Sequence, residues 1–320
     1  MILNRGGYGQ GAVMDQAGAA LAAVELPSAL CFPHAFSGAG PAVARLSTNE
    51  ACDIDATGEA MKNPDNIEAL DLEKHRNLRV KPNPDFVHAK ELNLAAVTQG
   101  EIGATACNFP IVFIPNPDTK LLRPVALFGL RPGENVYYGK DGWDTTYHPL
   151  VIQRHPFVIG WDDRAGDGKT LAPCLNRNSP FISEAEGIAL FKPSGEETDF
   201  LQSRFQLLQE IFEGERFTET FARRIGELGL LIPLEIIVQP EQGEPRRVTG
   251  MYALDERKLK ALTPEQVQEL HQQDMLPACY IILGSLFQLH KLMKLRHDKG
   301  IERLQSYRIE FPSDAPVTSH

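Results

Sequence analysis

The order of two hydrophobic patterns constrains the fold of this chain most strongly. Short apolar runs closed by proline or glycine, such as Phe109–Ile114 and Pro124–Leu130, come first and predict strands. A later stripe at three- and four-residue spacing, which includes Leu201, Phe205 and Leu208, predicts a core-facing helix. Strands first and helices later favour an α+β fold over alternating βα units.

The second half of the chain also contains a hairpin pattern and two further helices. Leu230–Val238 and Val248–Leu254 predict paired strands across a glycine turn. Thr263, followed by Pro-Glu-Gln, has the pattern of a capped helix start. The apolar run Leu276–Leu289 is interrupted by Pro, Ser and Gln, so we expect a buried helix and no membrane span. No Gly/Ser linker separates the halves, which favours a single compact domain.

Composition excludes several classes of protein. Asp and Glu outnumber Lys and Arg by 42 to 32, and the net charge of −10 argues against binding to nucleic acid. Five cysteines without CxxC spacing exclude a disulfide scaffold and a zinc ribbon. Phosphate-loop, GxSxG and HExxH motifs are missing from the sequence, so we expect no cofactor.

Metal or nucleophile chemistry has only dispersed candidates. His75, His88 and Glu101 could form a two-His-one-carboxylate metal site, but their spacing fixes no geometry and structural roles are the simpler interpretation. Cys107 or Cys174 would need a neighbouring base to act as a nucleophile. The catalytic residues, if any exist, stay unknown at this stage.

Arginine, tryptophan and tyrosine concentrate between Arg131 and Trp143. These residue types are frequent at binding hot spots, and Arg131, Glu134, Asn135, Trp143 and Arg154 form a candidate recognition surface. The alternative is a turn and hairpin in which Arg131 pairs locally with Glu134 while the aromatic residues fill the core. Both interpretations remain open.

Several ordered blocks resemble the bacterial SapC family. They include the three segments His75–Val80, Leu127–Asn135 and Tyr147–Phe157, and the match continues to about residue 297. The family takes its name from association with a bacterial surface layer. It implies no established activity, and no catalytic residue can be carried over.

The resemblance also predicts the domain limits. Family members typically begin near the position of Met61, so residues 1–60 are expected to be a disordered or non-family extension. That stretch is rich in Gly and Ala and lacks helical or strand periodicity. A secretory signal is disfavoured, because Gly6–Gly11 and Asp15 separate the basic start from the apolar block. We expect a SapC-like domain over residues 61–300 and a mobile tail over residues 301–320.

These observations predict a soluble, cytoplasmic protein that acts by binding. The expected role is that of an accessory to surface-layer or envelope protein biogenesis, with an unidentified protein partner, no nucleic acid and no membrane span. The alternative is a protein-modifying enzyme, with or without a metal ion, whose site is built from dispersed polar residues.

Overall fold

Helices and antiparallel sheets alternate along the chain. The computed structural model describes residues 66–116, 121–140, 142–161 and 171–312. The strands are β1 (Ile67–Ala69), β2 (Arg79–Val80), β3 (Leu94–Ala96), β4 (Ile111–Pro115), β5 (Leu122–Leu127), β6 (Tyr138–Gly139), β7 (Gly142–Trp143), β8 (Phe157–Trp161), β9 (Leu171–Asn176), β10 (Ile182–Ser183), β11 (Ile188–Ala189), β12 (Leu231–Pro240), β13 (Arg246–Leu254) and β14 (Leu304–Glu310). The helices are α1 (Leu72–His75), α2 (Ile102–Ala106), α3 (Leu150–Gln153), α4 (Asp199–Glu227), α5 (Glu256–Lys260), α6 (Pro264–Gln272), α7 (Met275–Ser285) and α8 (Gln288–Asp298).

A six-stranded sheet combines both halves of the sequence. Its strand order is β14-β12-β13-β4-β5-β3, and the pair Tyr252 and Phe113 joins the late hairpin to the early strands. Two three-stranded sheets, β1-β9-β8 and β10-β2-β11, and the short pair β6-β7 come from the first half. The predicted α+β class is confirmed. The expectation for residues 1–60 lies outside the described residues.

The predicted mobile tail is wrong for residues 304–310. These residues form β14, which pairs antiparallel with β12 at the edge of the large sheet. Leu304, Tyr307 and Ile309 pack against the main core, whereas Gln305 and Arg308 do not. The pairing register with β12 shifts next to Leu304, so the apolar residues of this strand do not alternate regularly and the sequence pattern conceals it.

Helix α4 connects the two hydrophobic cores. It runs for 29 residues without a break, and the Thr198 side chain accepts a hydrogen bond from Leu201 N at its start. Leu201 and Leu208 pack in the smaller core, while Phe221 and Ile225 pack in the larger one. The middle of the helix, between these anchors, borders the groove described below.

Helices α7 and α8 form one nearly continuous helical segment. Two bonds of 3-10 type, from Leu286 N to Leu283 O and from Phe287 N to Gly284 O, tighten the junction. The 24-residue stretch is long and apolar enough to cross a membrane by length and composition alone. One face, with Cys279, Ile282 and other apolar residues, packs in the main core as the sequence predicts.

Candidate functional site

A groove of about 500 Å³ lies between α4, α2 and the first half of α7. Its walls come from three segments that are distant in sequence. The lining residues are Thr98, Gln99, Gly100, Ile102, Gly103, Glu210, Glu213, Gly214, Phe217, Asp274, Pro277, Ala278 and Ile281.

Glycines keep the groove open. A Cβ atom placed on Gly100 or Gly103 would meet no atom within 4 Å, so the missing side chains leave space facing outward. Gly103 lies within α2, where alanine is intrinsically more favourable by about 1 kcal/mol. Gly214 has a different role, because its Cβ would lie 2.9 Å from the Thr98 Cβ. Glycine there lets α4 pack closely against the segment before α2.

A hydrogen-bonded turn fixes the wall next to α2. Thr98 and Glu101 form a capping box, in which Thr98 N donates to the Glu101 carboxylate over 2.9 Å. Gln99 N donates to Thr218 Oγ1 of α4 over 2.8 Å. The Gln99 side-chain amide donates to the Asp274 carbonyl over 3.4 Å, which reaches the start of α7. The turn therefore contacts both other walls.

The buried Glu101 carboxylate supports this turn. Its Oε2 accepts hydrogen bonds from the Tyr147 hydroxyl and from Leu150 N, both over 2.8 Å. Burial raises the pKa of Glu101, and the hydrogen bonds from Thr98, Leu150 and Tyr147 oppose that rise. Since every one of these contacts is internal, Glu101 joins the groove wall to α3 and does not face a ligand.

The rim of the groove is apolar and negatively charged. Phe217 is 67% exposed and Ile281 is 40% exposed, although both are large apolar residues. Glu210, Glu213 and Asp274 surround them. Within the described part of the chain, the residues of α4 that form ion pairs through their carboxylates are Glu215, Glu219 and Glu227, and not Glu210 or Glu213. The rim thus presents carboxylates that no described basic side chain neutralises.

Three of the five predicted recognition residues meet in a second, shallower hollow. Arg131, Glu134 and Asn135 line a space of about 320 Å³ together with Lys90 and Ile301. The predicted local pair between Arg131 and Glu134 is wrong. The reason is that the buried Glu134 accepts two hydrogen bonds from the guanidinium of Arg296, over 2.8 and 3.1 Å.

Arg131 and Asn135 have their own internal partners. Arg131 pairs with Glu302 over 2.9 Å. The Asn135 amide donates to the Ala89 carbonyl over 2.9 Å, and its oxygen accepts from Tyr137 N over 3.0 Å. The side chains of Arg131, Glu134 and Asn135 therefore all have partners within the protein.

The other two recognition residues do not line either hollow. Trp143 packs edge-on against Phe128, with ring centroids 5.1 Å apart, and against Phe109. Arg154 follows α3, and its charge adds to the lowering of the pKa of His155 that burial mainly causes. A recognition role for the five residues stays a prediction.

The three low-priority metal candidates belong to separate hydrogen-bond networks. His75 accepts from Asp71 N over 2.9 Å and contacts the Glu68 carboxylate over 3.2 Å. His88 contacts the Asn83 amide over 2.9 Å, and Glu101 binds the groups described above. Among the described residues, no group of three or more His, Cys, Asp or Glu side chains could hold a metal ion.

His88, one of these metal candidates, is stacked on a second histidine, His155. The rings of His88 and His155 are 4.1 Å apart and nearly parallel, and His155 Nε2 is 2.9 Å from the Ser179 hydroxyl. Burial lowers the pKa of His88 to about 4 and that of His155 to about 3, so both are neutral at pH 7. Phe181 packs edge-on against both rings. The pair is a packed, uncharged element of the interior.

The two candidate thiols donate to backbone carbonyls, Cys107 to Gly103 and Cys174 to Ala172, each over 3.4 Å. Cys107 is exposed, Cys174 is buried, and burial raises the pKa of Cys279 to about 12. A thiolate is the reactive form, so Cys279 is inert at neutral pH.

Fold and site together define an α+β protein with an open, acidic-rimmed apolar groove. The SapC family model matches residues 70–292, and the chain belongs to the SapC family. This confirms the resemblance found in the sequence. Neither the curated proteins nor the solved structures contain a match.

Proposed function

We propose that this protein acts by binding a segment of another protein in the groove between α4, α2 and α7. Membership of the SapC family supports placing that role in surface-layer or envelope protein biogenesis. The partner segment carries an exposed large apolar side chain followed within one helical turn by lysine or arginine.

The chemistry of the groove specifies this partner. Phe217, Ile281 and Pro277 offer apolar surface, and burying one large apolar side chain against it is worth about 1.5–3 kcal/mol. The carboxylates of Glu210, Glu213 and Asp274 favour a cation at the rim, each exposed pair adding about 0–1 kcal/mol. These contacts sum to about 6 kcal/mol at most before the cost of association, so they correspond to weak affinity, in the millimolar range.

The observation that carries the proposal is the open space above Gly100 and Gly103. A purely structural role would favour alanine over glycine at Gly103, because alanine stabilises a helix by about 1 kcal/mol more than glycine does. Here two positions that could accept a Cβ without any contact are bare backbone. A partner side chain can occupy that space.

A matched pair of glycine substitutions tests the proposal. Gly103→Leu fills the groove, whereas Gly226→Leu adds the same side chain to an open helical position of α4 away from it. The probes are two panels of fluorescein-labelled 15-residue peptides with Leu and Lys four positions apart, or with Glu replacing Lys. We expect the lysine peptides to bind the wild type and Gly226→Leu with equal, weak affinity, and to bind Gly103→Leu at least tenfold more weakly.

Two results would overturn the proposal. One is equal binding of the lysine and glutamate panels, and the other is unchanged binding by a folded Gly103→Leu protein. The biological role is tested with the same variants on a detergent extract of bacterial envelopes. Surface or envelope proteins should be retained by wild type and Gly226→Leu and lost with Gly103→Leu.

A further inference from the structure

The outer face of α7 and α8 continues the groove as an apolar stripe. Tyr280, Ile281 and Phe287 are 49%, 40% and 76% exposed, respectively. Gly284 lies between them, and a Cβ there would meet no atom within 4 Å. A second helix can therefore approach the backbone closely at this point.

The residues on this face are arranged symmetrically about Gly284. An α-helix turns by about 100° per residue, so the direction of each side chain around the helix follows from its distance from Gly284 in sequence. The side chains of the pairs named next project within about 80° of the direction of Gly284. The symmetric pairs are Ile281 and Phe287, Tyr280 and Gln288, and Pro277 and Lys291, at three, four and seven residues from Gly284. Asp274 precedes the helix as its N-cap, with a φ of +54°.

The two ends of this face carry charges of opposite sign. Asp274, with Glu210 and Glu213 beside it, makes the end before Gly284 acidic. Lys291 and Lys294 make the end after it basic, and both are exposed. A second helix laid antiparallel across Gly284 would bring the acidic end of each copy onto the basic end of the other.

We propose that two copies of this chain form a two-fold symmetric dimer through the α7–α8 face, with Gly284 on the axis. A self-complementary patch of this kind is what a two-fold interface requires. Phe287 of each copy packs near Ile281 of the other, and Lys294 faces Asp274.

The dimer also closes the groove. Phe287 with Lys291 and Lys294 is an apolar side chain followed by lysines, which is the chemistry assigned above to the groove's partner. This part of the inference rests on the proposed function. Partner binding and self-association then compete for one surface.

Existing contacts of the two lysines are weak enough to be exchanged. Lys294 pairs with Asp298 over 2.6 Å, but both are exposed and four residues apart on one helix. Lys291 Nζ lies 5.5 Å from the centre of the Tyr137 ring. Neither contact buries the charge.

Sedimentation of the full chain between 1 and 100 µM tests the dimer. We expect a species of about 71 kDa, twice the 35.5 kDa chain, to grow with concentration. Phe287→Asp should raise the dimer dissociation constant at least tenfold. Asp274→Lys and Lys294→Asp should each raise it several-fold, and the double variant should restore it to within about twofold of wild type.

A disulfide across the axis gives a second readout that is independent of stability. Gly284→Cys should form a covalent dimer under mild oxidation, because a residue on a two-fold axis meets its own copy. Gly226→Cys, an equally open helical position, is the control and should stay at the wild-type level.

The inference and the proposed function fail in different ways. A chain that stays monomeric to 100 µM, with no Gly284→Cys cross-link, overturns the dimer, and lysine-peptide binding then still tests the groove by itself. Monomeric chain that binds vesicles of anionic phospholipid, and loses them with Phe287→Asp, also overturns it and assigns the face to a lipid surface.

Discussion

Glu134 and Arg296 form an ion pair in which both side chains are buried. Arg296 is 1% exposed, and it also donates to Glu302 over 2.6 Å. Removing one partner of a buried pair leaves the other charge unpaired and typically costs 3–5 kcal/mol. The pair joins α8 to the loop after β5, so its loss affects the packing of α8 against that loop.

We therefore expect Arg296→Met to lower the free energy of unfolding by about 3–5 kcal/mol. Arg131→Ala, which removes an exposed partner of the same Glu302, should cost about 1 kcal/mol or less. Urea unfolding followed by circular dichroism measures both. Similar costs for the two variants would contradict a structural role for the buried pair.

The histidine stack predicts acid sensitivity. With pKa values lowered to about 4 and about 3 in the folded chain, His88 and His155 bind fewer protons than in the unfolded chain, where the pKa is about 6.5. Their stabilising contribution is present above pH 6.5 and is lost as the pH falls below it. Between pH 7 and pH 5 the loss is about 1–2 kcal/mol for each histidine.

His88→Phe separates this effect from other titrations. Glu101 acts in the opposite direction, because its raised pKa adds stability as the pH falls, so the difference between variant and wild type is the quantity to compare. We expect wild type to lose about 1–2 kcal/mol more stability than His88→Phe between pH 7 and pH 5, which is the contribution of one histidine. An identical pH dependence in both proteins would contradict the burial of neutral imidazoles.

At the scale of single elements, the glycines of the groove make opposite predictions. Gly103→Ala should raise the free energy of unfolding by about 0.5–1 kcal/mol, because it improves helix propensity and its Cβ meets nothing. Gly214→Ala should lower it, because the new Cβ would lie 2.9 Å from that of Thr98. Thermal unfolding of the two variants measures the difference. Destabilisation by both would show that the space above Gly103 is filled in the folded protein.

Strand β14 makes a further prediction at this scale. Ending the chain after Arg303 removes Leu304, Tyr307 and Ile309 from the core and exposes the edge of β12. We expect a loss of about 2–4 kcal/mol, since these side chains are about half-buried. Ending the chain after Pro312 is the control, and it removes only residues outside the described part. Equal stability of both shortened chains would contradict the packing of β14.

Sequence patterns predicted individual elements better than their connections. Thr263 caps α6 with Gln266 as the pattern indicates, because capping depends only on residues three positions apart. The strands β12 and β13 and the buried face of α7 follow from periodicity in the same way. Edge strand β14 and the pairing of Glu134 with Arg296 depend on chain segments far apart, which local patterns do not encode.

The groove illustrates the same limit at the scale of the whole molecule. Its three walls come from residues 98–103, 210–217 and 274–281, and its most informative feature is the absence of side chains at Gly100 and Gly103. The candidate recognition residues chosen from composition, such as Arg131 and Trp143, lie outside this groove and take part in an ion pair and in aromatic packing.

Photo-crosslinking from inside the groove tests its role as a binding site most directly. p-Benzoylphenylalanine is placed at Phe217 on the groove rim, or at Ile188 in β11, which is 45% exposed and lies outside the groove. With the lysine peptide at its dissociation constant, irradiation should label the peptide from position 217 and not from position 188. Equal labelling from both positions, or labelling from position 188 alone, would contradict the assignment of the groove as the site where this protein binds its partner.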